Sequence, residues 1–370
     1  MRHPFRNSGS GPARRMLGAV AVVGALTMTA HADVWSVVNL NPAGSTDSYG
    51  MGVYGGQQVG MALVGGVQNE YRASLWTGSA ASWVNLNPAG STYSYATGVY
   101  GGQQVGVAIM GDVYRASLWS GTAASWVDLS PAGATDSVAR SVYGSRQVGR
   151  ATVGGVRRAS LWTGSAASWV DLNPAGATDS YAVGVYAGQQ VGIALVGGVY
   201  RASLWSGTAA SWVDLTPGGA TESDALGVYG GQQVGYAYVG AGQRASLWTG
   251  TAASWVDLNP AGATYSWAFG VYAGQQVGYA LVGDVYRASL WSGTAASWVD
   301  LHQFLPAGFT SSYANGIWDD GVTTYVVGYG YNGTAGRNEA LMWVAPVPEP
   351  ASGVVLAAGL LAFSLRRRSR

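Results

Sequence analysis

The chain has 370 residues, 48% of them hydrophobic and only 10% charged, which excludes a disordered chain of low hydrophobicity and high charge. It contains no cysteine, which excludes a disulfide framework, a thiolate metal site and a cysteine nucleophile. Residues 33–346 carry 11 arginines and no lysine against 17 acidic residues, which excludes the basic surface that binds nucleic acid.

The first 32 residues are typical of an export signal. Four arginines precede an apolar run at residues 16–29, and Ala30-His31-Ala32 matches the small-residue pattern of a cleavage site at Ala30 and Ala32. The alternative is an uncleaved membrane anchor, but the apolar run is shorter than the roughly 20 residues of a spanning helix. We therefore predict an exported protein whose signal peptide covers residues 1–32.

The middle of the chain repeats one unit. Arg-Ala-Ser-Leu-Trp recurs every 43 residues and ends at Trp76, Trp119, Trp162, Trp205, Trp248 and Trp291. In one copy, four strand-like segments occupy residues 182–186, 189–196, 201–205 and 211–215, with turn-forming residues between them. A repeat of roughly 40–45 residues with four strands is the signature of a propeller blade.

The strand count predicts how the repeats close. The second segment occurs seven times, and so does the third if residues 340–343 complete the series. The fourth segment occurs six times after residue 80, and residues 34–40 supply the seventh copy. The sequence thus predicts an all-β, seven-bladed β-propeller over residues 33–346, closed by the N-terminal strand completing the last blade. A β-solenoid is the alternative.

The repeats resemble the HAF extracellular repeat family. The last unit shows the pattern in residues 312–317, 325–329 and 340–343, although Arg-Ala-Ser stands in the earlier units where that family has His-Ala-Phe. The resemblance implies an extracellular propeller and supplies no catalytic residues.

Few residues suit catalysis or metal binding. His302 is the only histidine in the predicted propeller, and we interpret it as a loop residue. Residues repeated in every blade have the same role in each, so the recurring Trp-Val-Asp aspartates and Arg-Ala-Ser arginines are expected to form structural cross-strand pairs. Asp319-Asp320-Gly321 is expected to be a turn. No cofactor, metal or enzymatic activity is predicted.

Two variable positions per blade suggest a ligand face. They lie in the Thr-x-Ser-x-Ala segment that we expect to form loops around one mouth of the channel. Aromatic rings and carboxylates alternate there and suit a sugar or a peptide. The candidates are Asp47, Tyr49, Tyr93, Tyr95, Asp136, Asp179, Tyr181, Glu222, Asp224, Tyr265, Trp267 and Tyr313. The alternative is drift on a tolerant surface.

Blade three carries an unusual run of arginines without an acid. This run is a candidate patch for an anionic polysaccharide, with a solvated surface as the alternative. It comprises Arg140, Arg146, Arg150, Arg157 and Arg158.

The C-terminal residues 347–370 form a three-part tail. Pro348-Glu349-Pro350 precedes an apolar segment at residues 351–365, which we expect to be a short transmembrane helix, and Arg366, Arg367 and Arg368 follow. This order resembles the PEP-CTERM sorting signal. The resemblance implies recognition by an exosortase at the membrane of a Gram-negative envelope, and an association with exopolysaccharide and biofilm matrix. A permanent anchor is the alternative.

Together these features predict an exported, envelope- or matrix-associated binding or scaffold protein that interacts with extracellular polysaccharide or surface protein. Two alternatives remain. One is a secreted polysaccharide hydrolase or lyase that uses carboxylates such as Glu222, and the other is a purely structural surface protein.

Overall fold

The computed structural model describes residues 35–65 and 70–347, which form seven four-stranded antiparallel sheets. Each sheet is one blade, and neighbouring first strands contact each other around the complete circle. The predicted all-β, seven-bladed propeller is therefore confirmed. The predicted signal cleavage site at Ala30 and Ala32, the tail residues Pro348 to Arg368 and both terminal apolar segments lie outside the described residues. Within the described part, no helix is long and apolar enough to span a membrane.

The strands follow the repeat. The innermost strands are β2 (Ser45–Tyr54), β6 (Tyr93–Tyr100), β10 (Ala134–Tyr143), β14 (Ala177–Tyr186), β18 (Glu222–Tyr229), β22 (Ala263–Tyr272) and β26 (Phe309–Asp319). The second strands are β3 (Gln57–Val64), β7 (Gln103–Met110), β11 (Arg146–Val153), β15 (Gln189–Val196), β19 (Gln232–Val239), β23 (Gln275–Val282) and β27 (Thr323–Asn332). The third strands are β4 (Tyr71–Trp76), β8 (Val113–Trp119), β12 (Val156–Trp162), β16 (Val199–Trp205), β20 (Gly242–Trp248), β24 (Val285–Trp291) and β28 (Arg337–Pro346).

The outermost strands are much shorter than the sequence predicts. They are β1 (Ser36–Asn39), β5 (Val84–Asn85), β9 (Val127–Asp128), β13 (Val170–Asp171), β17 (Val213–Asp214), β21 (Val256–Asp257) and β25 (Val299–Asp300). A single 3₁₀ turn precedes each two-residue strand, at Ala80–Ser82, Ala123–Ser125, Ala166–Ser168, Ala209–Ser211, Ala252–Ser254 and Ala295–Ser297. A seventh such turn spans His302–Phe304.

The N-terminal strand closes the ring. In the last blade the strand order is β1-β28-β27-β26, and Val37 lies opposite Trp343 in the antiparallel pair. Trp35 and Trp343 belong to one buried cluster. The closure predicted from the strand count is confirmed. We number the blades in chain order, so that blade 1 is β2–β5 and blade 7 is β26–β28 with β1.

The blades pack through a tryptophan at or near the end of each third strand. Trp205 in blade 4 is fully buried against Leu161 and Leu172 of blade 3, and the six other blades have a fully buried tryptophan at this position. Large aromatic side chains supply much of the apolar area that is buried between neighbouring sheets. These repeated tryptophans therefore pack between the sheets.

A serine in each inner strand forms a hydrogen-bonding clamp to the preceding blade. Ser180 Oγ in β14 accepts the backbone N–H of Ala159 from blade 3 at 2.8 Å and donates to Asn173 Oδ1. The same inner-strand serine accepts the corresponding N–H at all seven blade junctions. The serine of Thr-x-Ser-x-Ala therefore belongs to the frame of the fold.

The ring has two distinct faces. The upper face carries the connections between blades, such as residues 173–176, and the hairpins between second and third strands, such as Gly197-Gly198. The lower face carries the hairpins between first and second strands. Around the lower mouth of the channel, tyrosines of neighbouring inner strands pack against each other. The ring centroids are 4.3 Å apart for Tyr54 and Tyr100, and 4.2 Å apart for Tyr229 and Tyr272.

Candidate functional site

The predicted ligand-face residues lie in the upper halves of the inner strands. The sequence predicts loops at these positions, but β2 already begins at Ser45 and β14 at Ala177, so both variable positions are inside the strand. All twelve side chains are half-buried. They point between blades, because a paired strand directs its side chains to the two faces of its sheet.

Aromatic rings from four blades form one continuous arc on the upper face. From blade 2 to blade 7, successive ring centroids are 6.0 Å apart for Tyr95–Tyr93, 5.7 Å for Tyr93–Tyr71, 5.9 Å for Tyr71–Tyr49 and 4.8 Å for Tyr49–Tyr329. The arc continues through blades 7 and 6. We define the aromatic arc as Tyr49, Tyr71, Tyr93, Tyr95, Tyr265, Trp267, Tyr279, Tyr286, Tyr313 and Tyr329.

In blade 7, Tyr313 stacks on Tyr329 at 4.8 Å and lies 5.3 Å from Tyr286 of blade 6. In blade 6, Trp267 lies 5.9 Å from Tyr279. Trp267 also stacks on Tyr236 of blade 5, just outside the arc, with 4.4 Å between the ring centroids. Such offset and tilted pairs stabilise each other by roughly 0.5–1.5 kcal/mol beyond the area they bury.

Polar neighbours hold the arc in place. Asn338 Nδ2 donates to the Tyr49 hydroxyl at 2.8 Å, and Trp267 Nε1 donates to Gln243 Oε1 at 3.0 Å. Burial raises the pKa of Tyr95 to about 12, so its hydroxyl stays protonated and can donate to a ligand. These contacts fix the ring orientations before any ligand binds, which lowers the entropy cost of binding.

Four residues of the arc are not among the candidates that the sequence predicts. Tyr71 and Tyr286 occupy the position before the repeated arginine of the third strand, and Tyr279 and Tyr329 occupy the variable position after Val-Gly in the second strand. Both positions vary between blades, as the inner-strand positions do. This variation was the signal that could have revealed them.

The carboxylates of the predicted face are mostly paired. Asp47 Oδ1 accepts the backbone N–H of Asn338 at 2.7 Å, Arg150 Nη1 lies 2.6 Å from Asp136, and Arg157 Nη1 lies 3.6 Å from Asp179. They therefore stabilise contacts within and between the blades, and fewer oxygens are available to a ligand than we expected.

Asp224 is an exception within blade 5. Its side chain lines the channel, but its Oδ1 atom is inaccessible to solvent and has no hydrogen-bond partner among the described residues. Burial, reinforced by the nearby Glu222, raises the pKa of Asp224 to about 7, and the backbone N–H of Ala225 partly opposes the shift. Glu222 itself accepts a hydrogen bond from the Tyr236 hydroxyl at 2.8 Å.

The five blade-three arginines do not form one patch. Arg146 and Arg157 lie at opposite ends of the β11–β12 pair, because Arg146 follows the lower hairpin and Arg157 the upper one. Arg158 pairs with Asp171 at 2.7 Å, as the equivalent arginines do in blades 4 to 6. Only Arg140 and Arg150 come together, both over the ring of Tyr181. The predicted patch is thus divided among four places.

The remaining polar motifs have the structural roles we predicted. The repeated arginine and aspartate form cross-strand pairs, at 2.7 Å for Arg201 and Asp214. His302 Nδ1 lies 2.8 Å from Ser312 Oγ. His302 thus contacts the inner-strand serine of blade 7 as Asn173 contacts Ser180 in blade 4. Burial lowers the pKa of His302, which favours the neutral ring. Asp320 accepts turn N–H groups from Val322 and Thr323.

A channel of about 510 Å³ runs between the inner strands. One residue at the bulge of each inner strand lines it, and these seven residues are Met51, Thr97, Arg140, Val183, Leu226, Phe269 and Asn315. The channel therefore combines apolar walls with one arginine, one aspartate and one tyrosine, Tyr181. No cluster of three or more metal-ligating residues occurs in residues 35–65 or 70–347.

The PEP-CTERM protein-sorting motif matches residues 346–368 of the chain. This motif indicates an exported protein that is sorted through its C-terminus. No curated protein sequence is significantly similar to the chain.

Solved structures with the same fold share little sequence with the chain. A puromycin hydrolase S511A mutant complexed with PGG has a TM-score of 0.55 at 12% identity, over 80% of this chain and 54% of its own. The chain thus spans about half of that hydrolase. The propeller domain of the Trilobed protease from Pyrococcus furiosus has a TM-score of 0.52 at 8% identity, over 82% of this chain and 96% of its own. That domain has an open velcro topology, whereas β1 closes the ring here. These similarities concern the fold alone.

Proposed function

We propose that the protein is a non-enzymatic binding or scaffold module of the outer cell surface or extracellular matrix, and that its aromatic arc binds extracellular polysaccharide. The observation that carries this proposal is the arc itself, with rings of four blades in unbroken contact. Flat apolar ring faces stack on sugar rings, and the hydroxyl groups at their edges satisfy sugar hydroxyls.

The sorting tail completes the proposal. We propose that the N-terminal signal is removed after Ala32, that an exosortase of a Gram-negative envelope recognises Pro348-Glu349-Pro350, and that residues 351–365 hold the protein in the membrane until then. The motif match at residues 346–368 supports this route. We further propose that the repeats are divergent HAF repeats. Mass spectrometry of both ends of the protein recovered from cells tests the processing, and an intact tail on the mature protein would contradict it.

Binding is tested with matched tyrosines in equivalent positions. Tyr71 and Tyr286 belong to the arc, whereas Tyr200 occupies the same strand position in blade 4 and is 39% exposed. We expect Y71A and Y286A each to weaken retention on polysaccharide isolated from the producing cells by about tenfold, which corresponds to roughly 1.4 kcal/mol. Retention of Y200A should stay unchanged. Equal effects of all three substitutions, or none, would contradict the proposal.

The non-enzymatic role is supported by the pairing of the carboxylates. Asp136 and Asp179 are held by arginines, and Glu222 accepts a hydrogen bond from Tyr236. Incubation with the same polysaccharide should release no new reducing or unsaturated ends. Turnover that disappears in Glu222→Gln would establish the hydrolase or lyase alternative instead.

A further inference from the structure

One side chain sets blade 3 apart from the six others at the channel wall. At the inner-strand bulge, the other blades carry Met51, Thr97, Val183, Leu226, Phe269 and Asn315, all neutral. Blade 3 carries Arg140 at this position, between Ala139 and Ser141. Because the position faces the channel in every blade, a single positive charge projects into a space shared by all seven blades.

The Arg140 guanidinium is held by neutral groups only. Its Nε donates to the Tyr181 hydroxyl, and its centre lies 5.4 Å from the Tyr181 ring and 5.9 Å from the Tyr95 ring. Among the described residues, it forms no salt bridge within 4.0 Å, unlike Arg150 and Arg158 in the same blade. Two tyrosine faces stabilise a cation but do not neutralise its charge.

Arg140 lines the channel, and its two Nη groups have no hydrogen-bond acceptor among the described residues. Arginine has five N–H donors, and the described residues accept a hydrogen bond only from Nε of Arg140. Neither Nη atom belongs to the solvent-inaccessible atoms without a partner, so each keeps some contact with solvent, and Arg140 is one of the residues that line the channel. A half-buried cation without an anionic partner is costly for the fold, and a bound anion would offset part of that cost.

We propose that Arg140 binds the carboxylate of an acidic sugar, a hexuronate, in the central channel. This inference rests on the proposed function, because it assigns the chemistry of the sugar. The two Nη groups present the planar fork that pairs with a planar carboxylate through two parallel hydrogen bonds. The channel volume of about 510 Å³ suits a monosaccharide or short oligosaccharide.

The surrounding wall fits the rest of such a ligand. Phe269 and Leu226 offer apolar contact on the other side of the channel, and Tyr95 and Tyr181 flank the charged end. Asp224 also lines the channel and opposes anions when it is ionised. A sugar with an apolar ring face and one carboxylate therefore matches the distribution of groups around the channel.

Calorimetric titration of the full chain in detergent tests the site. We expect methyl glucuronide to bind at least tenfold more tightly than methyl glucoside, and more weakly as salt is added. Arg140→Gln should reduce glucuronide binding to the glucoside level. Arg146→Gln is the matched control, because Arg146 is an exposed arginine of the same blade at the lower face, and it should change nothing.

A second pair of variants leaves Arg140 in place, so that the site can be tested even if Arg140→Gln does not fold. Val183 occupies the bulge of the adjacent inner strand and lines the channel. Val183→Glu should supply an internal partner for Arg140 and abolish glucuronide binding, whereas Val183→Gln should preserve it. Equal binding of glucuronide and glucoside, or competition by inorganic phosphate as strong as by acetate, would overturn the carboxylate assignment.

The outcomes separate this inference from the proposed function. If Y71A and Y286A lose polysaccharide while wild type does not prefer glucuronide, only the channel inference fails. If Arg140→Gln loses glucuronide while Y71A and Y286A retain polysaccharide, the aromatic arc fails and the channel site stands.

Discussion

The backbone N–H of Leu40 donates to the carbonyl oxygen of Ala340 at 2.8 Å, joining residues at the two ends of the described chain. Antiparallel pairs alternate between hydrogen-bonded and non-hydrogen-bonded positions. Because Leu40 is hydrogen-bonded, Val38 opposite Met342 is hydrogen-bonded as well, and Val37 opposite Trp343 is not. The N–H of Val37 therefore faces outward from the edge of the last blade.

Because of this alternation, proline substitutions at two adjacent positions test the ring closure. Val38→Pro removes a ladder hydrogen bond and should lower the free energy of unfolding by about 1–3 kcal/mol, since it leaves the carbonyl of Met342 without its donor. Val37→Pro removes an N–H that faces outward from an edge strand and should cost much less. Urea unfolding measures both. Equal losses would contradict the closure register.

The clamp between blades predicts a second effect on stability. Ser180→Ala removes the acceptor of the buried Ala159 N–H and the donor to Asn173. We expect a loss of about 1–3 kcal/mol, because a buried N–H without an acceptor pays its full desolvation cost. Thr178→Ala, at an exposed position of the same strand, is the control and should lie within about 0.5 kcal/mol of wild type.

The seven-bladed architecture was predictable because each blade repeats the same strand motifs. Counting the second, third and fourth segments gave both the number of blades and the closing strand. The start of the inner strand was not predictable, because Ala-Thr-Asp-Ser at residues 177–180 has the composition of a turn. Pairing of Ala177 with Val196 overrides this local preference.

The candidate site was predictable only in part. Variable positions indicated Tyr49 and Tyr93, but contacts between blades depend on the twist and spacing of neighbouring sheets. Those contacts unite rings from three different strands of the repeat, which are far apart in sequence. For the same reason, arginines that are close in sequence lie apart in the structure, with Arg140 in the channel and Arg146 at the lower face.

The glycine after valine in each second strand should be intolerant of any side chain. A Cβ on Gly192 would lie 1.9 Å from the carbonyl oxygen of Tyr181, and the equivalent glycines show 1.8–2.0 Å. Because the obstacle is backbone beside the inner-strand bulge, Gly192→Ala should destabilise the fold by about 3 kcal/mol or more. Gly218→Ala is the control, since nothing lies within 4 Å of its Cβ position. Thermal unfolding distinguishes the two, and similar midpoints would contradict the close approach.

Asp224 predicts a stability that depends on pH. Its pKa is about 7 in the folded protein and ordinarily 3.8, so between these values the folded state retains a proton that the unfolded state has released. Stability therefore falls as the pH rises from about 4 to about 7, and the loss persists above pH 7. Asp224→Asn removes the ionisable group and should raise the free energy of unfolding at pH 8 by about 4 kcal/mol, with little change at pH 4.

The matched variant for this test is Asp136→Asn, two blades away at the preceding variable position of the inner strand. Asp136 lies 2.6 Å from Arg150, so losing its charge should destabilise the protein at pH 8, opposite in sign to Asp224→Asn. Urea unfolding at pH 4, 6 and 8 measures both. A stabilisation by Asp224→Asn that is the same at every pH would mean that the substitution acts through packing, and that the carboxyl group is not held protonated by burial.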